Sequence, residues 1–357
     1  MQKIRLAYFG SPSFSADLLE KIILDTSLPI EVVLVVTQPD KPAGRKQVVT
    51  PSPVKIVAQK YCIEILQDSG IFSTCVGKEL DLALVYAYGE ILPKEILSLP
   101  EFGFWNIHPS LLPLYRGASP IAYPLIFGDK ETGVSLMLMD DKMDHGPLFT
   151  QEKMEISPND TRTDLEIKLT NLANKQLKQL LAKNADFLPG HLCTNKRAMP
   201  SNSFTLARDK KYAFELTPQN HSQATYTKKL SKSDGFIPFV TLKKMLNNEK
   251  ITPEELPSFV QIYLQKYTNK NKSSEIADSL TILFNLFRGL SPWPGIWTLL
   301  RSDFIKTSEK QALLTHEMRL KITEIKLVNN IPTITIVQLE GKKEVDFATF
   351  NKAYQVI

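Results

Sequence analysis

The sequence predicts an α/β protein in which a parallel-sheet domain is followed by a smaller antiparallel β domain. Two continuous apolar segments, IRLAYFG (residues 4–10) and EVVLVVT (31–37), flank a helical pattern near the N-terminus. This order is typical of buried parallel strands joined by a right-handed crossover. Near the C-terminus, RLKITEIKLV and IPTITIVQLE alternate apolar and polar residues, as the strands of small antiparallel barrels do. Periodicity weakens from about residue 185 to 225, where we place the connection between the domains.

The composition is that of a globular protein with an uneven distribution of charge. The 357 residues suffice for two domains, and the net charge is +5. Residues 201–357 carry a net +7, which leaves −2 for residues 1–200, and residues 41–60 hold five cations and no acid. This pattern suits a polyanionic partner such as RNA. Lysines that only keep the surface solvated would give the same pattern, and charge alone does not decide between the two.

Targeting, disulfide and metal signals are not found in the sequence. The N-terminus passes directly into a strand pattern, and no apolar run approaches the ~20 residues that span a bilayer. We therefore expect a cytoplasmic protein. Three scattered cysteines (Cys62, Cys75, Cys193) make no disulfide framework, and five scattered histidines show no zinc-ligand spacing.

Loops at the ends of the predicted parallel strands are the first candidates for a site. The turn after the first strand reads GSPSFS, which lacks the G-x-G-x-x-G fingerprint, so we do not infer a bound dinucleotide. The segment from Gln38 to Lys55 holds four prolines and several cations, which predicts a long exposed loop suited to phosphate contacts. DLALVYA (81–87) is a further buried strand, and it ends in the glycine loop YGEILP at an edge where ligands bind in open α/β sheets.

Three polar residues form the predicted reactive group. In the strand FWNIH (104–108), Asn106 and His108 alternate with apolar residues and so share one face. An amide and an imidazole suit the polarisation of a carbonyl, although the pair alone is more typical of a structural hydrogen bond beside a turn. A later strand, GVSLMLM, leads into a loop that carries Asp144. A carboxylate beside an imidazole orients its ring, so this trio suits acyl-type transfer to an amine.

Several helices and one edge strand are predicted around these loops. We predict a buried helix over 120–128, an edge strand at PLFTQEK and an amphipathic helix that ends near 183. Thr163 and Glu166 are spaced as the capping box of that last helix, and Thr252 and Glu255 form a second capping box before LPSFVQIYLQKY.

These segments, together with others along the chain, resemble those of a known family, the methionyl-tRNA formyltransferases. The resembling segments occur in family order and cover most of the chain: AYFGSPSFS, VVTQPDKPAGR, TPSPVK, YGEILP, NIHPSLLPLYRGASPI, MDHGPL, ATYTKKLSKSDG, SPWPG and VQLEGKKEVDF. NIHPSLLP-x-x-RG followed by MD-x-GP is typical of transferases that use 10-formyltetrahydrofolate. The resemblance implies a Rossmann-like parallel-sheet formyltransferase domain over 1–189, a linker over 190–222 and an OB-like β-barrel tRNA-binding domain over 223–357. A helical insertion of about 238–278 interrupts that second domain.

The resemblance also implies the reaction and the residues that serve it. The formyl group would pass from 10-formyltetrahydrofolate to the α-amine of methionine on initiator methionyl-tRNA, with Asn106, His108 and Asp144 catalytic. No metal is implied, and we expect a monomer. The residues expected to contact the folate are Ser110, Leu111, Leu112, Pro113, Tyr88, Gly89, Ile91, Leu92 and Asp140. The residues expected to contact the tRNA are Lys41, Arg45, Lys46, Lys228 and Lys229.

The chain departs from the family pattern at two loops and at the insertion of about 238–278, and two other functions stay open. KQVV follows the PAGR element where basic residues are usual. His145 stands where small residues are common, and it is either a group that titrates near the site or, as is more common, an exposed loop histidine. A folate-dependent transferase for a small amine, such as an amino sugar nucleotide or glycinamide ribonucleotide, would leave loop 38–50 and the basic second domain without a purpose. A non-catalytic RNA-binding protein on a transferase scaffold would not need the intact trio.

Overall fold

The computed structural model describes residues 3–44, 46–69, 72, 80–184, 214–267, 278–301 and 317–355. The chain divides into two compact units, and each unit takes in several separate stretches of sequence. The first unit comprises Met1–Pro120, Thr132–Met154 and Glu166–Tyr226. The second comprises Ile121–Glu131, Glu155–Leu165 and Thr227–Ile357. The predicted domain boundaries at 189 and 222 stay a prediction.

The strands and helices are numbered here in chain order. The strands are β1 (Ile4–Gly10), β2 (Ile30–Val36), β3 (Lys41–Ala43), β4 (Val48–Thr50), β5 (Glu64–Leu66), β6 (Leu82–Tyr86), β7 (Phe104–His108), β8 (Arg116–Gly117), β9 (Glu131–Leu138), β10 (Leu148–Glu155), β11 (Tyr226–Thr227), β12 (Ile296–Leu300), β13 (Met318–Val328), β14 (Ile331–Leu339) and β15 (Glu344–Asp346). The helices are α1 (Ser13–Leu24), α2 (Pro53–Lys60), α3 (Lys94–Leu97), α4 (Ala122–Ile126), α5 (Arg162–Lys183), α6 (Phe239–Leu246), α7 (Ser258–Tyr267), α8 (Ser279–Leu290) and α9 (Phe347–Tyr354).

A seven-stranded sheet organises the first unit, in the order β10-β9-β7-β6-β1-β2-β5. β1 pairs in parallel with β2 and β6, β2 with β5, and β6 with β7. β9 runs antiparallel to β7, and β10 lies at the edge. The predicted parallel sheet and the predicted edge strand are therefore confirmed. Because β6 and β7 are parallel neighbours, the loops that follow them leave the same edge of the sheet.

An aromatic cluster fills the core beneath this edge. The rings of Phe9, Phe72 and Phe104 meet one another at centroid distances between 5.1 and 5.7 Å. Tyr88, from the loop after β6, stands edge-on to Phe9 at 5.5 Å. Aromatic pairs in such tilted and edge-to-face arrangements bury large areas in preferred geometry. The loop after β6 is thus anchored to the sheet by one of its own residues.

The second unit contains an antiparallel sheet in the order β12-β13-β14-β15, together with α4, α6, α7 and α8. This confirms the predicted class of the C-terminal part, an antiparallel β domain. The predicted insertion holds α6 and α7, while its residues 268–277 lie outside the described part. α4 packs closely on α8 at Gly289, where an added Cβ would lie only 2.7 Å from Ala122 O.

The structure corrects the sequence analysis at two local features. The segment predicted as a long exposed loop over 38–55 contains the antiparallel hairpin of β3 and β4, with Lys41 opposite Thr50. Its proline excludes a helix but is tolerated in an edge strand. The start of α5 is capped by Thr161 and Asp164, with the hydroxyl 2.6 Å from the carboxylate. The predicted capping box, two residues later, is therefore wrong.

Candidate active site

Three side chains predicted from two separate segments meet beside β7. Asn106 Nδ2 donates a hydrogen bond to Asp144 Oδ1 at 3.2 Å. His108 Nδ1 lies 3.5 Å from the same carboxylate oxygen. Both strand residues are buried, with exposed fractions of 9% and 4%. The alternation of β7 thus turns the amide and the imidazole toward one carboxylate.

The other nitrogen of His108 determines which tautomer is present. His108 Nε2 lies 3.0 Å from the carbonyl oxygen of Tyr115. Because a carbonyl oxygen only accepts, Nε2 carries a hydrogen. Nδ1 is therefore the nitrogen that faces the carboxylate of Asp144.

The backbone around Asp144 is held in an unusual conformation. Asp144 has φ +48°, in the left-handed region that costs most residues about 1–2 kcal/mol. Its Oδ2 accepts a hydrogen bond from Gly117 N at 2.6 Å, so both carboxylate oxygens face donors. Two residues on, Gly146 approaches the strand so closely that an added Cβ would lie 1.8 Å from Leu138 O. The loop therefore tolerates only glycine there, and it fixes the position of the carboxylate.

Two buried residues that sequence reasoning missed support this loop. Gln219 Nε2 donates to the carbonyl oxygens of Asp144 at 3.0 Å and Gly146 at 2.7 Å. Gln219 Oε1 accepts from Arg116 Nη2 at 2.7 Å, and Arg116 is only 1% exposed. Arg116 is the arginine of the NIHPSLLP-x-x-RG motif, so the motif could have identified it. Gln219 lies in the polar segment predicted as linker, where its sequence context gives no such signal.

Two histidines stack beside the same loop. The rings of His145 and His221 are parallel within 4°, with centroids 3.9 Å apart. His145 Nδ1 lies 2.6 Å from Asp140 Oδ2, and His221 Nδ1 lies 2.9 Å from Arg116 Nη2. Because the guanidinium can only donate, His221 Nδ1 accepts. Partial desolvation, then the charges of His145 and Arg116, lower the pKa of His221. His145 is half-buried and paired, so the interpretation as an exposed loop histidine is wrong.

The segment predicted to contact the folate is clamped from behind by two further residues. Ser135 Oγ donates to Ser110 O at 2.7 Å and accepts from Leu112 N at 3.0 Å. Gln151 Nε2 donates to Leu112 O at 2.9 Å and to Ser135 Oγ at 2.8 Å. Sequence reasoning missed both residues, although Ser135 is the hydroxyl that interrupts the apolar run GVSLMLM. Leu111 remains half-buried, and Pro113 O accepts from Thr225 N at 3.2 Å.

The loop after β6 presents apolar residues at the same sheet edge. Tyr88 is buried, its hydroxyl donates to Glu90 Oε2 at 3.0 Å, and burial raises its pKa to about 12. Gly89 has φ +90°, and Leu92 is buried, but Ile91 is 85% exposed. Met139 packs against the cluster that holds Tyr88 and also against the cluster that holds Leu112. These two predicted segments therefore share a neighbour.

The predicted tRNA contacts fall on both units. Lys41 Nζ hydrogen-bonds Gln38 Oε1 at the base of the hairpin, Lys46 is exposed at its tip, and Arg45 lies outside the described residues. In the second unit, Lys228 Nζ lies 2.6 Å from Asp234 Oδ1 and 5.5 Å from the Phe259 ring centroid. Lys229 is exposed. Lys46, Lys228 and Lys229 are thus all exposed, and Lys228 is in addition held by an acidic neighbour.

Two features that would indicate other chemistry are not found in the described parts of the chain. Within the described ranges, the His, Cys, Asp and Glu side chains form no group of three arranged to hold a metal ion. The helices described here also include none that is long and apolar enough to cross a bilayer.

The chain is similar to known formyltransferases along nearly its whole length. Residues 2–181 match the family described as Formyl transferase. A protein of Caldicellulosiruptor saccharolyticus called methionyl-tRNA formyltransferase is 30% identical, with 98% of this chain and 97% of the relative covered. One of the same name from Dictyoglomus thermophilum is 30% identical, with 99% and 98% covered. A crystal structure of an N-formyltransferase from Helicobacter canadensis aligns at a TM-score of 0.48 and 16% identity, over 91% of this chain and 88% of that one. This chain belongs to the methionyl-tRNA formyltransferase family.

Proposed function

We propose that the protein transfers the formyl group of 10-formyltetrahydrofolate to the α-amine of methionine on initiator methionyl-tRNA. The observation that carries the proposal is the meeting of Asn106, His108 and Asp144 at one point beside β7. The named relatives support the substrate, because they match this chain from end to end. The products are tetrahydrofolate and formylmethionyl-tRNA, and the formylated tRNA serves the initiation of translation.

Asn106 supplies the stabilisation that the transition state needs. The amine attacks the formyl carbon, so negative charge develops on the formyl oxygen. An amide NH2 group has two hydrogens, and the hydrogen bond to Asp144 uses one of them. The second can be donated to the developing oxyanion. Removing one donor of this kind typically costs about 3–4 kcal/mol of barrier.

His108 and Asp144 handle the proton that the amine must lose. A new C–N bond forms as the bond from the formyl carbon to the folate nitrogen breaks, and the proton of the amine ends on that nitrogen. Asp144 Oδ1 faces both Asn106 Nδ2 and His108 Nδ1, so it is placed to accept this proton directly or through water. His108 Nε2 remains tied to Tyr115 O, which keeps the ring oriented.

The folate is proposed to lie against Ser110–Pro113, the loop from Tyr88 to Leu92, and Asp140. The chemistry of these residues fits a flat heterocycle with polar edges. Ile91 is an apolar side chain that is 85% exposed, between the exposed Glu90 and the buried Leu92, and a ring could cover it. The clamping of Leu112 by Ser135 and Gln151 keeps the segment in one conformation before the folate binds.

The acceptor stem is proposed to contact the hairpin through Lys41, Arg45 and Lys46, and the second unit through Lys229 and Lys228. Lysine and arginine bind phosphates without reading sequence, so these contacts position the tRNA. Val48 and Val49 are exposed on β4 where the family usually has cations, which leaves Lys46 as the exposed cation among the described residues of the tip. We also propose that the protein acts as a monomer and without a metal.

The activity is tested by incubating the purified protein with 10-formyltetrahydrofolate and initiator methionyl-tRNA. If no formylmethionine forms above the uncatalysed background, the proposal is refuted.

His108→Ala should abolish turnover while tRNA binding survives. If tRNA binding is lost as well, His108 is structural.

Arg45→Ala should weaken the use of tRNA and leave folate binding intact. Unchanged kinetics on tRNA would mean that the hairpin does not contact the tRNA.

A further inference from the structure

We propose that Gln219 is a positioning residue of the formyl-transfer site, which it completes by holding the main chain of Asp144. This inference rests on the proposed function. It extends the site to a segment that the sequence places in the linker, about seventy-five positions after the carboxylate that it supports. The catalytic residues themselves lie on β7 and in the loop between β9 and β10, but their alignment depends on this later part of the chain.

The hydrogen bonds of Gln219 define the orientation of its amide. Its nitrogen faces the carbonyl oxygens of Asp144 and Gly146, at 3.0 and 2.7 Å, and both of these can only accept. Its oxygen faces the guanidinium of Arg116 at 2.7 Å, which can only donate. The opposite orientation would place donor against donor and acceptor against acceptor. Gln219 is 7% exposed, so water does not readily replace these partners.

The support of the loop matters because Asp144 lies in a sparsely populated region of backbone conformation. The residue has φ +48°, and the turn leaves two carbonyl oxygens, of Asp144 and Gly146, directed at one side. One amide group binds both of them and so fixes the main chain on either side of His145. The carboxylate of Asp144 then faces Gly117 N and Asn106 Nδ2. A shift of about 1 Å in such a group can reduce a rate by about a hundredfold.

Arg116 provides the fixed point against which Gln219 is held. Its guanidinium is buried and contacts Gln219 Oε1, His221 Nδ1 and the hydroxyl of Tyr226 at 3.3 Å. Its own main chain lies in β8, and Arg116 N donates to Thr225 O at 2.9 Å. β8 and the segment from Gln219 to Thr225 are thus joined by a side-chain contact at Gln219 and a main-chain hydrogen bond at Thr225. Gln219 therefore transmits the position of β8 to the loop of Asp144.

Two substitutions separate the support of the loop from the pairing with Arg116. Gln219→Glu keeps the size of the side chain and an acceptor for the guanidinium, but it removes the donor to the two carbonyl oxygens. Gln219→Met removes both. We expect kcat to fall by about 10- to 100-fold in both variants, with the KM for tRNA and for folate unchanged within about twofold. Both variants should lower the melting temperature, by about 2–4 °C, because each leaves the two buried carbonyl oxygens without their donor.

The matched control is Gln223→Glu, the same chemical change at an exposed residue four positions later. It should leave kcat and the melting temperature as in the wild type. A direct readout is the chemical shift of the His108 ring nitrogens in spectra of protein labelled with ¹⁵N-histidine, which contain five imidazoles. Both substitutions at Gln219 should move the His108 resonances, because Asp144 no longer holds its distance from Nδ1.

The outcomes distinguish this inference from the proposed function. If Gln219→Glu has the wild-type kcat while Gln219→Met is slow and unstable, the residue acts only through Arg116 and the inference is wrong. Wild-type protein that formylates methionyl-tRNA supports the function whatever these variants do. If the wild type does not formylate it, the histidine spectra still show whether Gln219 positions Asp144, and unchanged His108 resonances in both Gln219 variants contradict the inference.

Discussion

Replacing Asp144 by asparagine removes one negative charge and one acceptor while the shape of the side chain is kept. The carboxylate accepts from Gly117 N at 2.6 Å and from Asn106 Nδ2 at 3.2 Å. A carboxamide has one accepting oxygen, so in either orientation its NH2 group meets one of these two donors. Losing a hydrogen bond to a charged group costs about 1.5–3 kcal/mol, and we expect the free energy of unfolding to fall by that amount.

The effect of Asp144→Asn on the reaction should be larger than its effect on folding. Proton transfer by a positioned group contributes about 10²- to 10⁴-fold to a rate, and Asp144 faces His108 Nδ1 at 3.5 Å as well as Asn106. We therefore expect kcat to fall by about 10²- to 10⁴-fold, which corresponds to about 3–5 kcal/mol of barrier. The assay is single-turnover formylation of initiator methionyl-tRNA at saturating folate, with unfolding by denaturant measured on the same preparation.

The control for this prediction is Asp141→Asn, because Asp141 is exposed on the same loop three residues earlier. It should change neither the rate nor the stability. A kcat of Asp144→Asn within about threefold of the wild type, together with a lowered unfolding free energy, would mean that the carboxylate only stabilises the loop. The assignment of Asp144 to proton handling would then be abandoned.

Three other outcomes are expected. Ser135→Ala removes the hydroxyl that bonds Leu112 N, so it should cost about 1–3 kcal/mol in denaturant unfolding and raise the KM for folate; an unchanged KM would separate the clamp from folate binding. The KM for tRNA should rise about tenfold or more between about 50 and 200 mM salt while that for folate changes little, and equal salt dependences would remove the phosphate contacts. The hydrogen bond from Lys178 lowers the pKa of Asp25 to about 2 from about 3.9 in the unfolded chain, so its stabilisation is present above about pH 4 and is lost as the pH falls through 2. Asp25→Asn should therefore be less stable than the wild type at pH 7 and equal to it near pH 2 in denaturant titrations, and a constant difference would contradict this.

The parts of the fold that depend on local pattern could be predicted from the sequence. Continuous apolar runs identify buried parallel strands, and the alternation within β7 places Asn106 and His108 on one face, as the structure shows. The start of α5 shows the limit of such patterns. Thr161 with Asp164 and Thr163 with Glu166 both satisfy the capping-box spacing, and in the structure the first pair makes the capping hydrogen bonds.

The parts of the site that depend on distant returns of the chain could not be predicted in this way. Gln219 meets Asp144 because the chain comes back beside β8, and nothing in the polar stretch around it specifies that return. Ser135 and Gln151 show the same limit, since a hydroxyl and an amide on neighbouring strands bind a segment that precedes both. Buried polar groups must find partners, but the sequence does not name those partners.

The most direct test of the central claim is a competition for the formyl group. Wild-type protein is given labelled 10-formyltetrahydrofolate together with initiator methionyl-tRNA, free methionine and an amino sugar nucleotide at equal concentrations, and the label in each amine is measured. We expect the label to enter methionyl-tRNA. Label in a small amine and none in methionyl-tRNA would contradict it.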